Sequence, residues 1–227
     1  MKIATCTVSL DGFGDPSGAG ERIRLFSEVL NEARRLHVDL LCLPGGYLRA
    51  KTFSEKDKFS HVIHNEAKKY KIAIAMGIDV PKSFAICWSP NEDILYSWQQ
   101  RSSTRIDQWN CPAVVCAETR TLPVLNGRVE VLICGEIFNE RIRNNILSRK
   151  YDLTAVVGLG HKSYRFRVWA GMKKLAEGGL TVMCSVHANR RFAQKYCYTP
   201  QGSLSTPVPD ITFPGPPRLE LKLWSLS

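Results

Sequence analysis

The chain has 227 residues, 44% hydrophobic and 23% charged, and a net charge of +10. That length holds one large domain with a well-buried core, read here as a single domain over residues 1–227, and no stretch reaches the ~18 apolar residues of a membrane span. Eight cysteines are scattered without a CxxC pair or a Cys/His ligand spacing, which argues against zinc or a disulfide framework and for reduced core thiols in a cytoplasmic protein.

In chain order, Lys2 to Leu10 reads as a first strand rather than a signal peptide. Glu21 to His37 carries Ile23, Phe26, Leu30 and Ala33 at helical spacing. Val38 to Pro44 is nearly all apolar, as a strand buried on both faces would be, and "GGYLRAKTF" after it reads as a loop. Ser54 to Tyr70 is a second helix and "KIAIAMGI" another strand. "SFAICWSP" and "ILYSWQQ" form a hairpin about Asn91 to Asp93. Arg101 to Thr121 shows no periodicity. "RVEVLIC" is a strand, Ile137 to Ser148 a helix and "DLTAVVGLG" a strand. Arg167 to Glu177 is a helix stopped by Gly178 and Gly179, followed by the buried strand "LTVMCSVHAN". A region rich in Pro and Gly leads to a final strand, "RLELKLWSL". The alternation predicts an α/β fold with crossovers and hairpins.

Cys134 is singled out by position. It ends an apolar strand, Gly135 follows, and a helix-like segment begins, a junction where α/β proteins place reactive groups and where exposed N–H groups favour a thiolate. "GFGDPSGAG" (Gly12 to Gly20) has no GK[ST] and no GxGxxG pattern, so it reads as a loop before the first helix. Between Glu136 and Pro200 twelve Lys and Arg stand against four Asp and Glu. A basic region of this kind either attracts anionic partners, nucleic acid included, or is a plain solvated face.

"NGRVEVLICGEIFNE" resembles the cysteine segment of the nitrilase, or carbon–nitrogen hydrolase, superfamily. The opening segment, Lys2 to Leu48, resembles that family's first strand, helix and second strand. "ILYSWQQRSS" falls where the family carries its lysine strand, and "AVVGLGHKSYRFRVWAGMKKLAEGGLTVMCSVHAN" resembles the elements after the cysteine. The resemblance implies a four-layer α-β-β-α sandwich, two mixed sheets with helices outside, and self-association into a homo-oligomer. It implies a thiol nucleophile at Cys134 acting on an amide or nitrile carbon, with no cofactor and no metal.

The family's other two catalytic positions are substituted. Its general base maps to Gly45 in "LPGG", and its lysine to Gln100, with Arg101 adjacent. Loss of a general base typically costs ~10²–10⁴-fold and loss of an electrostatic stabiliser ~10²–10³-fold. Glu118 and Glu136 are candidate acids near the site, and Arg101 a candidate cation. His161 and His187 end strands, and a Cys/His pair would be a different thiol chemistry. His161, Arg165 and Asn189, with Arg101, are candidate ligand-binding residues in or beside two basic stretches with interleaved aromatics. Two readings stand: a carbon–nitrogen hydrolase with a non-standard or missing base, and an inactive protein of the same fold that binds an anionic ligand, nucleic acid or a protein partner.

Overall fold

Period-two alternation along the strands sends successive side chains into two different cores. On β2 (Leu40–Arg49), Leu41 and Leu43 join one cluster while Leu40 and Cys42 join another. On β7 (Gly127–Ile133), Val129, Val131 and Ile133 point into that second cluster and Leu132 points away from it. The computed structural model describes residues 1–102, 112–161, 167–188, 197–203 and 211–226.

The other strands are β1 (Lys2–Ser9), β3 (Ala73–Val80), β4 (Lys82–Trp88), β5 (Leu95–Gln99), β6 (Thr121–Val124), β8 (Ala155–Gly160) and β9 (Val182–Ala188), then β10 (Cys197–Thr199), β11 (Gly202–Ser203), β12 (Ile211–Phe213) and β13 (Leu219–Ser225). The described strands form one continuous mixed sheet whose main path runs β5-β4-β3-β2-β1-β9-β8-β7-β6. β1 is the joint. Residues 3–5 pair in parallel with β2, residues 7–9 pair in parallel with β9, and its length pairs antiparallel with β13. By sharing one strand between two partners, the sheet splits into halves that face each other. The two expected sheets are thus halves of a single curled one.

The middle layer fits small residues against larger ones. Cys42, Ala73, Ala75, Ala85 and Cys87 from the first half meet Val129, Val131, Ile133, Val157 and Leu159 from the second. The helices α1 (Ala19–Arg35) and α2 (Phe53–Tyr70) cover the first half with Phe26, Leu30, Ile63 and Ala67. After the short α3 (Ala113–Cys116), α4 (Glu140–Ser148) and α5 (Arg167–Glu177) cover the second with Ile142, Ile146, Met172 and Leu175. Side-chain caps set the helix starts: Thr52 accepts from Glu55 N, and Asn139 accepts from the N–H groups of Arg141 and Ile142.

Two local expectations change. Gly45 to Arg49 is not a loop but the second part of β2, reached through a register break between Leu43 and Leu48. The helix expected over Ile137 to Ser148 is divided, because Asn139 leaves helical geometry to cap α4; a 3₁₀ turn, Cys134–Phe138, precedes it. The register break presses the β2 backbone onto β3. A Cβ at Gly77 would lie 2.3 Å from the Gly45 Cα and 2.6 Å from the Pro44 carbonyl oxygen.

Gly77→Ala must displace backbone and is expected to lower stability by about 1–3 kcal/mol, read as a lower denaturant midpoint at unchanged m. Gly20→Ala, on α1 with nothing within 4 Å of the new methyl, is the matched control. It should be neutral or stabilising by up to about 0.5–1 kcal/mol.

Candidate active site

β7 delivers Cys134 to the end of the second half-sheet, and the backbone turns there in an unusual way. Cys134 has φ +44°, in the left-handed region that costs a non-glycine residue roughly 1–2 kcal/mol. The other described non-glycine residues with positive φ sit at chain reversals: His37 and Lys71 after helices, Asp93 and Leu125 in hairpin turns. Cys134 instead stands between a buried strand and a 3₁₀ turn. It is also the one described cysteine that is not buried. Burial pushes the Cys184 thiol up to about 12 and likewise raises those of Cys6, Cys42 and Cys87.

What holds the turn is the Glu136 carboxylate, which is fully buried. It accepts from Ile133 N (3.0 Å), from Arg101 through its backbone N (2.5 Å), Nε (3.2 Å) and Nη2 (3.2 Å), and from Arg120 Nη1 (3.0 Å). Fully buried Glu130 continues the cluster with Arg149 Nη2 at 2.8 Å and Arg101 Nη2 at 3.8 Å. Glu136 thus supports the residue before Cys134. The Arg101 side chain, 1% exposed, is paired with both buried glutamates. Glu118 lies at the margin of the same cluster, its side chain 47% exposed. Its carboxylate meets Arg120 Nη2 at 3.0 Å and its carbonyl accepts from Arg101 Nη1. Gln100, just past β5, donates from Nε2 to the Ser102 carbonyl at 2.7 Å.

The residue that does meet Cys134 is His161, which follows β8. β7 and β8 pair in parallel through Ile133 and Leu159, so Cys134 and His161 leave neighbouring strand ends, close enough for the thiol to act on the imidazole. Its Nε2 lies 2.8 and 2.9 Å from the two Asp79 carboxylate oxygens and 3.2 Å from Ser83 Oγ. Asp79 comes from β3 and Ser83 from β4, so the first half-sheet positions the imidazole and the second supplies the thiol. The Asp79 contacts commit Nε2 as a donor. Burial lowers the His161 pKa, but its interactions with Asp79 and Cys134 outweigh it and push it up to about 10. His187, fully buried on β9, bonds the His161 carbonyl through Nδ1 at 3.0 Å. Phe13, from the loop after β1, lies edge-on to His187 at 4.5 Å and to His161 at 6.4 Å.

Gly45 explains how the ring fits. A Cβ there would lie 2.7 Å from the Leu159 carbonyl oxygen and 3.0 Å from His161 Nδ1. At Gly46, φ +63°, it would lie 2.7 Å from Asp79 Oδ2 and 3.0 Å from His161 Cδ2. The position that the sequence resemblance assigned to a carboxylate is thus occupied, in space, by imidazole. Arg165 and Asn189 lie outside the described residues. Asp79 and Ser83 were missed in the sequence. The available signal was a lone acid, "GIDV", near the end of an apolar strand.

No protein-family model matches the sequence, and no curated protein matches it. Among solved structures, the amidase NitN from Neterenkonia sp. AN1 is similar with TM-score 0.67 and 14% identity, over 98% of this chain and 92% of that one. A cysteine-to-alanine mutant of the Nesterenkonia AN1 amidase from the nitrilase superfamily gives TM-score 0.68 and 14% identity, over 99% and 90%. A glutamate-to-glutamine mutant of that amidase, carrying the Michael adduct of acrylamide at its active-site cysteine, gives 0.67 and 14% over 98% and 92%.

Two outcomes follow from the site's electrostatics. Glu136→Ala strands two buried guanidinium groups and should cost about 3–5 kcal/mol in chemical denaturation. For His161 the folded pKa lies above its ordinary 6.5. Its stabilising contribution is therefore complete below that value and lost as pH rises through about 10. The stability difference between the native chain and His161→Gln should shrink over that window. At 14% identity the likeness is one of architecture: the chain has the fold of these amidases.

Proposed function

We propose that the protein cleaves the C–N bond of a small amide through an acyl-thioester on Cys134. The observation that carries this reading is Cys134 itself: partly exposed while the other described cysteines are buried, held at φ +44° by a dedicated carboxylate, and at the strand end next to that of His161. Strain of this kind at a strand end is characteristic of reactive positions rather than of core packing. The neighbours in fold include an amidase whose active-site cysteine takes up acrylamide, which supports an amide as the substrate class.

The inactive-protein reading rested on the loss of the base and the cation from their expected places. The imidazole now beside Cys134 removes the first of those grounds. Arg101, committed to Glu136 and Glu130, does not refill the second, so a slow turnover is expected relative to an enzyme with a free cation at the reacting carbon.

The test is covalent. Iodoacetamide at neutral pH should add one acetamide group, mapped by peptide mass spectrometry to Cys134, well before Cys184 reacts. Short aliphatic amides should release ammonia at a rate abolished by Cys134→Ala. Alkylation of Cys134 no faster than of Cys184 would end the nucleophile reading.

A further inference from the structure

We propose that His161 is the general base for Cys134, that Asp79 positions it, and that the side-chain-free Gly45–Gly46 segment is the space that admits the ring. The proposal rests on Cys134 being the nucleophile and adds how it is activated: a Cys–His–Asp array built across the two halves of the sheet, in place of a carboxylate base.

Geometry supports each part. Both Asp79 oxygens lie within 2.9 Å of Nε2, which orients the ring and commits that nitrogen, and the pairing of Ile133 with Leu159 brings the strand ends carrying Cys134 and His161 side by side. His161 is 18% exposed and Asp79 23%, so water competes little for either. Gly45 and Gly46 would each place a Cβ within about 3 Å of the ring, so an ordinary side chain at these positions and the present His161 position exclude each other. Among the described residues, the groups around the imidazole are Gly45 and Gly46 on β2, Asp79 on β3, Ser83 on β4, Cys134 after β7, His187 on β9, and Phe13 from the loop after β1. Among the described residues, Asp79 is the carboxylate that bonds its ring, at 2.8 and 2.9 Å.

The chemistry balances with water as the one co-reactant. In the resting pair the Cys134 proton is held by His161, and the sulfur attacks the amide carbon, moving the carbonyl π electrons onto oxygen. Collapse breaks the C–N bond, and the leaving amine takes the proton from His161. Water then gives its proton to His161 as its oxygen attacks the thioester. The C–S bond breaks, releasing the carboxylic acid and restoring the sulfur–imidazolium pair.

The experiment is the pH profile of iodoacetamide inactivation, which needs no substrate, followed with thiolate absorbance on the full chain. The native protein should keep reacting as pH falls from about 8 to about 6, because imidazolium holds the thiolate. His161→Gln should react at least ~10-fold more slowly at the lower pH and follow an ordinary thiol profile. Asp79→Asn, which leaves the imidazole in place, should shift the profile in the same direction by a smaller factor; this second variant covers the case of a His161→Gln chain that does not fold. Equal profiles in native, His161→Gln and Asp79→Asn proteins overturn the proposal while leaving Cys134 a nucleophile. A native Cys134 that does not react at all overturns the nucleophile reading itself.

Discussion

At Gly45 the chain is pressed between two strands with no room for a side chain. On one side Gly77 of β3 approaches so closely that a methyl group there would overlap the Gly45 Cα; on the other stand the Leu159 carbonyl and His161 after β8. This contact joins the two half-sheets at the site. It shifts the register of β2, and it sets the distance at which Asp79 from one half meets His161 from the other.

The middle layer makes that approach possible. Alanines and cysteines on β2, β3 and β4 oppose valines, isoleucine and leucine on β7 and β8. Larger residues on both sides would push the halves apart and separate Asp79 from His161. The buried cysteines act there as small apolar residues, and their raised pKa values agree with that role. Packing and chemistry thus divide the thiols between them, with Cys134 alone among the described ones at the boundary.

Electrostatics secures the turn. Five donors on one buried carboxylate is a costly arrangement to desolvate and a rigid one once formed. Its yield is geometric: Ile133 is held by Glu136, so the left-handed conformation of Cys134 is retained against its intrinsic cost.

Much of the architecture was legible from local pattern. Apolar runs and helical spacing located β1, β3, β4, β5, β7, β9, β13, α1, α2 and α5 to within a few residues, because the helices bury one face and most of these strands bury both. The place of Cys134 was legible too, since a strand-to-turn junction is a property of neighbouring residues. The β2 register break was hidden, because it depends on Gly77, a residue of another strand. The partners of Cys134 were hidden for the same reason: Asp79 and His161 stand 82 residues apart and bond only when the two half-sheets face each other. By itself the sequence determined the strands, the outer helices and the position of the thiol. The tertiary structure alone decided which groups surround that thiol, placing Glu136 and Arg101 beneath it and an imidazole where a carboxylate was expected, because those distances are set by how the sheet folds over itself.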